Sequence, residues 1–183
     1  MTRLTYTVLA FPLLVASTIF TAGVDATSQP DITAYLNAHN SVRAQHGAAP
    51  LTWNETLASA AQSWVNKCVF KHSGGSLGPY GENLAAGTGD GYDIAAAVKS
   101  WTDEVSQYDP QNPQPSHFTQ VVWKATKQVG CAVKDGCTGI FDPKFGTAKF
   151  YACEYSPAGN VLGQFPYVAP LLHDKSLFRS GLT

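Results

Sequence analysis

Two histidines and two glutamates are the residues of this chain whose types could carry chemistry. His72 stands at the head of a glycine-rich segment, and Glu82 follows it in the nearly uncharged run YGENLAAG. Glu104 lies in a predicted amphipathic helix, and His117 opens the stretch HFTQVVWK. Imidazole and carboxylate groups bind divalent metals such as zinc and act as general acids and bases. Together the four residues predict a metal or acid–base site, provided that the fold brings them together.

A hydrogen-bond network that pins the loops to the helices is the competing interpretation of the same four residues. In that case each carboxylate would be paired or hydrogen-bonded, because an unpaired buried carboxylate has a raised pKa. The other histidines add no ligand by sequence. His39 and His46 lie in or just past the first predicted helix and are interpreted as structural, and His173 in the polar tail has no assigned role.

The sequence shows no convincing nucleophile. Residues 74–78 match the G-x-S-x-G pattern of serine hydrolases, but that motif needs a strand before it and a helix after it, whereas here both sides are glycine-rich. The chain has four cysteines and no C-x-x-C pair, which favours two disulfides over a zinc ribbon or a redox site. Their spacing leaves all three possible pairings open.

The N-terminal residues indicate an exported protein, and the charge argues against a nucleic-acid partner. The formal net charge is −1, with 12 Lys and Arg against 13 Asp and Glu, and no basic run is present to bind nucleic acid. Residues 1–26 are predicted to be a signal peptide: Arg3 precedes an apolar run that is shorter than a membrane-spanning helix. We therefore expect a secreted, extracellular monomer that does not span a membrane, with a glycosylation sequon at Asn54.

The elements that must position the four polar residues are helices followed by strands. Apolar residues at helical spacing predict three helices, within residues 30–47 (with Asp31 as its N-cap), 52–68 and 93–109. Short β-branched and aromatic stretches predict an antiparallel sheet from residues 118–124, 129–133 and 149–156. Residues 71–92 are predicted to be a glycine-rich loop, and residues 108–116 a proline-rich one. The pattern is typical of an α+β layered fold, with one domain over residues 27–170 and a tail over residues 171–183.

Four separated blocks resemble the CAP superfamily, which groups the cysteine-rich secretory proteins, the venom antigen 5 allergens and the plant pathogenesis-related class 1 proteins. The blocks occur in the family's order and cover residues 31–165. They are LNAHNSVRAQHGAAPLTWNETLASAAQSWVNKC, KHSGGSLGPYGENLAAG, SHFTQVVWKATKQVGCAV and FYACEYSPAGNVLGQF. The chain is similar to short single-domain fungal members that lack a C-terminal cysteine-rich extension.

The resemblance implies a three-layer α–β–α sandwich with a central antiparallel sheet around a cleft. In that cleft His72 and His117 would bind zinc or another divalent metal, with Glu82 and Glu104 supporting them. The resemblance further implies the disulfides Cys68–Cys137 and Cys131–Cys153. Plant relatives carry another cysteine where this chain has Ser116. The loop of residues 108–116 is therefore expected to be held only by its prolines.

Three functions follow from the resemblance and the residues. The leading interpretation is a non-enzymatic protein that binds or exports sterols or fatty acids. Sterol binding in related yeast proteins is attributed to the equivalent of the proline-rich loop, whose candidate contacts are Tyr108, Pro110, Pro113, Pro115 and Phe118. The first alternative is a metal-dependent hydrolase or protease with Glu82 or Glu104 as general base. The second is an effector or defence protein whose surface is recognised by a host or cell-surface protein.

Overall fold

The computed structural model describes residues 27–165. The predicted signal peptide and C-terminal tail lie outside these residues. The helices are α1 (Gln29–Gln45), α2 (Glu55–Val65), α3 (Ile94–Thr102) and α4 (His117–Val121), and the strands are β1 (Thr52–Trp53), β2 (Gly81–Thr88), β3 (Gln128–Cys137) and β4 (Ala148–Ser156). Two 3₁₀ turns occupy Asp103–Gln107 and Pro143–Phe145. Between residues 27 and 165, no helix combines the length and the apolar character needed to cross a membrane.

At the start of each of the three longer helices, the side chain of the N-cap residue accepts a hydrogen bond from a backbone amide that has no partner within the helix. Ser28 caps α1 by accepting from the amide of Asp31, so Asp31 lies in the first turn and is not the N-cap that the sequence predicted. Asn54 caps α2, and Asp93 caps α3. All three predicted helices form, but α3 ends at Thr102, which places Glu104 in the following 3₁₀ turn.

The cap at Asn54 bears on the predicted glycosylation site. The Asn54 carboxamide accepts from the amides of Thr56 (2.8 Å) and Leu57 (3.2 Å) and donates to Gln128. Asn54→Gln, the usual way to remove a sequon, is therefore expected to lower the free energy of unfolding by about 1 kcal/mol even in unglycosylated protein. Thr56→Ala removes the sequon but keeps the cap, and should leave stability nearly unchanged. Urea unfolding of both variants made in bacteria checks this; equal losses would show that the cap contributes little.

The sheet has four strands in the order β1-β3-β4-β2. β4 pairs antiparallel with both β3 and β2, whereas β1 runs parallel to β3 through only two residues. Successive residues of β3 and β4 point to opposite faces, as strand geometry requires. Cys131 and Tyr151 join the core cluster of α1, α3 and α4, while Ala132 and Phe150 join the smaller cluster under α2. The predicted three-layer α–β–α sandwich is confirmed, with a short parallel strand added to its antiparallel sheet.

The two disulfides of the structure are Cys68–Cys137 and Cys131–Cys153, the pairs that the resemblance implied. The first ties the end of the α2 layer to the end of β3. The second joins residues that lie opposite each other in the antiparallel register of β3 and β4. Their sequence separations of 69 and 22 residues correspond to stabilisations of about 4 and about 3 kcal/mol in the chain-entropy description.

Residues 117–121 form α4, so the strand predicted over 118–124 is wrong. The Ser116 side chain accepts from the Thr119 amide, and the Thr119 hydroxyl accepts from the Ser116 amide. This capping box satisfies backbone donors at the start of a helix, and that local signal outweighs the β propensity of the Val121–Val122 pair.

Residues 81–88 form strand β2, so the predicted glycine-rich loop is wrong over that part. The strand pairs with β4 along its whole length. A Cβ atom at Gly81 would overlap the Gln120 side chain, and one at Gly87 would overlap the Tyr92 ring. These two glycines therefore make room for neighbouring side chains and do not mark turns.

Candidate functional site

His72 and Glu82 form the first half of the candidate site. The Glu82 carboxylate accepts from His72 Nδ1 at 2.6 Å and from the Ser73 amide at 3.0 Å. Strand β2 holds Glu82, whose side chain is only 8% exposed, while the His72 side chain is 60% exposed. Because Glu82 accepts at Nδ1, the neutral imidazole carries its proton there and leaves the Nε2 lone pair free.

His117 and Glu104 form the second half in the same way. The Glu104 carboxylate accepts from His117 Nδ1 at 2.7 Å and from the backbone amides of His117 (2.8 Å) and Phe118 (3.3 Å). The His117 ring stacks on Trp101 at a centroid distance of 6.4 Å. The carboxylate therefore fixes both the ring and the start of α4.

Both pairs line one open cleft of about 440 Å³, so the fold brings the four sequence-predicted residues together. Asn83 contributes to the wall and donates to the His117 carbonyl (3.1 Å) and to the Tyr155 hydroxyl (3.2 Å). Asn160 also lines the cleft and donates to the Ser116 carbonyl at 2.9 Å. The end of the proline-rich loop is thus anchored by Asn160 and the α4 capping box, which corrects the expectation that prolines alone hold it.

Glu154 is a residue of this site that the sequence reasoning missed. It lies opposite Glu82 in the register of β2 and β4 and is 1% exposed. Burial, together with the Glu82 charge and a hydrogen bond to Glu82, raises the pKa of Glu154 to about 9. At neutral pH Glu154 is therefore protonated and donates to Glu82. The available signal was a single carboxylate in the otherwise apolar strand FYACEYS.

A buried polar chain connects the cleft to α1. His39 Nδ1 donates to the Tyr35 carbonyl (2.7 Å), so Nε2 accepts from the Tyr155 hydroxyl (2.8 Å), which in turn accepts from Asn83. His39 is fully buried, and burial lowers its pKa to about 4. These contacts agree with the structural interpretation of His39.

The donor set of the cleft fits a metal ion only in part. A carboxylate on Nδ1 that leaves Nε2 free is the arrangement found behind metal-ligating histidines. However, the described part of the chain contains no group of three or more His, Cys, Asp or Glu side chains that could hold a metal ion. The two imidazoles could supply two ligands, and water or a bound molecule would have to supply the rest, unlike a structural zinc site with four protein ligands.

Comparison with known proteins agrees with the fold. The Cysteine-rich secretory protein family (CAP) matches residues 36–155. Fruiting body protein SC14 of Schizophyllum commune is 39% identical over 152 residues, which is 78% of this chain and 69% of that protein. Pathogenesis-related protein 1B of Nicotiana tabacum is 42% identical over 144 residues, covering 73% of this chain and 79% of that protein. The chain belongs to the cysteine-rich secretory protein family.

Solved structures show the same architecture. The structure of BmVAL-1 superposes with a TM-score of 0.65 and 26% sequence identity, covering 80% of this chain and 86% of that one. The superfamily and fold class predicted from the four sequence blocks are therefore confirmed.

Proposed function

We propose that this protein is secreted and binds a sterol without transforming it, using the proline-rich loop of residues 108–116. The family and the two disulfides support export to an oxidising compartment. One observation carries the assignment to the loop: every hydrogen bond that the structure gives residues 109–115 lies within that segment. Asp109 accepts from the amides of Gln111 and Asn112, and Gln114 donates to Asn112. No hydrogen bond therefore ties the segment to the rest of the described chain, which lowers the free energy needed to move it.

Apolar surface lies at the base of this loop. Tyr108 is half-buried and packs edge-on against Phe118, with ring centroids 5.8 Å apart, and Phe118 itself is 1% exposed. The cavity under the loop is about 150 Å³, below the roughly 300 Å³ at which ligand pockets begin. Sterol binding therefore requires the loop and Tyr108 to move away, which exposes Phe118. Pro110 and Pro115 are exposed and would contact the sterol from the open loop.

Fatty acids are the less favoured ligands on grounds of charge. A groove of about 440 Å³ beside α1 and α3 has apolar walls, and its lining includes three aspartates and one lysine, namely Asp31, Asp93, Asp135 and Lys149. A fatty-acid carboxylate would meet this net negative charge, whereas a neutral sterol would not. A neutral lipid is therefore the expected cargo.

We also propose that the cleft takes a divalent metal, zinc being the first to test, through His72 and His117. Glu82 and Glu104 would then orient the two rings and strengthen them as ligands. Both carboxylates already accept from an imidazole and from backbone amides. This use of the carboxylates disfavours the hydrolase alternative, which needs one of them as a free general base.

Titration of the purified protein with tritiated cholesterol, and separately with palmitate, tests the lipid proposal. Replacing residues 109–115 by a Gly/Ser segment of equal length should weaken cholesterol binding by roughly tenfold or more, because the prolines that shape the loop are lost. Its melting temperature should stay near that of the parent, because the segment makes no hydrogen bond to the rest of the described chain. Unchanged affinity would remove the loop from the proposal, and absence of binding by the parent would refute it.

The double variant His72→Ala/His117→Ala is the matched control for the metal. It should lose zinc binding in calorimetry and keep cholesterol binding, since neither ring lines the loop cavity. Repeating the titration with a chelator makes the same separation without mutation. Cholesterol binding that disappears with the metal would join the two sites into one mechanism.

A further inference from the structure

Large apolar side chains are exposed on one part of the surface, beside the Cys68–Cys137 disulfide. Val69 (54% exposed) and Phe70 (50%) directly follow Cys68. Phe141 (39%) and Phe145 (59%) lie in the connection between β3 and β4. These four residues are called the aromatic patch below.

The disulfide and the sheet register place the two halves of the aromatic patch together. The Cα atoms of Cys68 and Cys137 are 5.2 Å apart, and Cys137 lies opposite Ala148 in the register of β3 and β4. The connection of residues 138–147 therefore leaves and rejoins the sheet next to Cys68. Ile140 and Cys68 pack against the same core cluster under α2, which anchors both halves to one layer.

Core packing does not explain this exposure. The Phe70 ring meets the buried Phe150 edge-on at 5.6 Å, yet half of Phe70 remains in solvent. Phe145 belongs to a 3₁₀ turn in which no residue is buried. Exposed apolar side chains that gather beside one disulfide, and that the core does not use, indicate an interaction site.

The charge around the aromatic patch is positive. Residues 67–71 and 138–147 contain three lysines (Lys67, Lys71, Lys144) and one aspartate (Asp142), a net charge of 3 − 1 = +2, whereas the whole chain has −1. The rest of the chain therefore carries −3. Two of these ammonium groups lie over aromatic rings: Lys67 Nζ is 4.0 Å from the Trp64 ring centroid, and Lys144 Nζ is 4.8 Å from that of Phe145.

We propose that the aromatic patch docks the protein on a membrane surface that contains anionic lipids. Phe70 and Phe145 enter the boundary between headgroups and acyl chains, and the three lysines contact the anionic headgroups. Aromatic rings flanked by lysines suit this boundary, because the rings are apolar while the lysine stems keep the ammonium groups at headgroup level. The inference goes beyond sterol binding and does not depend on it, since a protein without cargo would dock in the same way.

Docking would leave the histidine cleft accessible. Along β4 the aromatic patch lies at the Ala148 end, where Ala148 pairs with Thr88, whereas Glu82 pairs with Glu154 six residues further on. At about 3.3 Å per residue this is roughly 20 Å along the strand.

Co-sedimentation with sterol-free vesicles tests the proposal and separates docking from cargo binding. The full protein should bind phosphatidylcholine–phosphatidylserine vesicles roughly tenfold or more tightly than vesicles of phosphatidylcholine alone. Phe145→Ser should weaken binding several-fold, and the triple variant Lys67→Glu/Lys71→Glu/Lys144→Glu should abolish the preference for phosphatidylserine. Leu162→Ser is the matched control, because Leu162 is 79% exposed but lies outside the patch. It should bind as the parent does.

Three results would overturn the proposal. The first is equal binding to the two vesicle types, and the second is equal losses for Phe145→Ser and Leu162→Ser. The third comes from sedimentation velocity without lipid: a dimer that Phe145→Ser dissociates would assign the patch to a second copy of the chain. Phe145 is preferred to Phe70 for these tests because it makes no ring contact with the core.

Discussion

Replacing Arg43 by methionine is expected to lower the free energy of unfolding by about 4 kcal/mol or more. Arg43 is fully buried in α1 and donates only to carbonyl oxygens, at 2.7–3.0 Å. The acceptors belong to Ala49, Val121, Trp123 and Thr126. Methionine fills similar space but leaves these acceptors without a donor, and each unpaired buried group costs about 1–3 kcal/mol. The loss approaches the whole stability of a typical domain, which is about 5–15 kcal/mol.

The effect should extend to the cleft, because three of the four carbonyls lie at or just beyond the end of α4, the helix that carries His117. Chemical denaturation gives the stability, and the His117 ring resonances report the position of α4. Arg43→Lys is the matched control: it keeps the charge but reaches fewer acceptors, so its loss should be intermediate. If Arg43→Met lowered the free energy of unfolding by only about 1 kcal/mol, solvent would be replacing the guanidinium as the hydrogen-bond donor. The conformation of residues 121–126 would then not depend on Arg43.

The second large effect is a dependence of stability on pH that two buried groups drive in opposite directions. His39 has a pKa of about 4 in the folded state against 6.5 for the unperturbed group. Its contribution to the free energy of unfolding is therefore lost as pH falls from 6.5 to 4. Glu154 has a pKa of about 9 against 4.5, so its contribution is present below 4.5 and is lost as pH rises to 9. Each group alone gives a slope of about 1.4 kcal/mol per pH unit in its window.

The two slopes offset each other between pH 4.5 and 6.5, so stability should be nearly flat there and should fall on the alkaline side. Glu154→Gln, which can still donate to Glu82, should remove the alkaline fall and uncover a loss on acidification. His39→Gln should do the reverse, with stability declining steadily as pH rises above 4.5. Urea unfolding at a series of pH values measures all three profiles. A Glu154→Gln profile parallel to that of the parent above pH 6.5 would show that Glu154 is already ionised at neutral pH.

The sequence identified residues whose role depends on local motifs and missed those whose role depends on long-range packing. His72, Glu82, Glu104 and His117 each stand in a recognisable motif, and they do meet in one cleft. Glu154 was missed because its importance arises from lying opposite Glu82, and strand pairing cannot be read from either strand alone.

The two misassigned elements have different physical causes, one local and one long-range. The strand predicted at residues 118–124 followed β propensity, which spans only about 1 kcal/mol and yields to a capping box. The loop predicted over β2 followed glycine content, but Gly81 and Gly87 serve close packing against Gln120 and Tyr92. The structural role of Arg43 could not be predicted from the sequence, because its acceptors are backbone carbonyls and three of them are 78 to 83 residues away.

The chain has four cysteines and a serine at position 116, which has a consequence for how its disulfides form. Four cysteines can pair in only three ways, whereas one additional bridge would raise the number to fifteen. Cys131 and Cys153 lie opposite each other in the register of β3 and β4, so correct pairing of these strands brings their two thiols together. Cys68 and Cys137 are then the remaining pair. Completing the sheet therefore decides both disulfide bonds when the four thiols are oxidised.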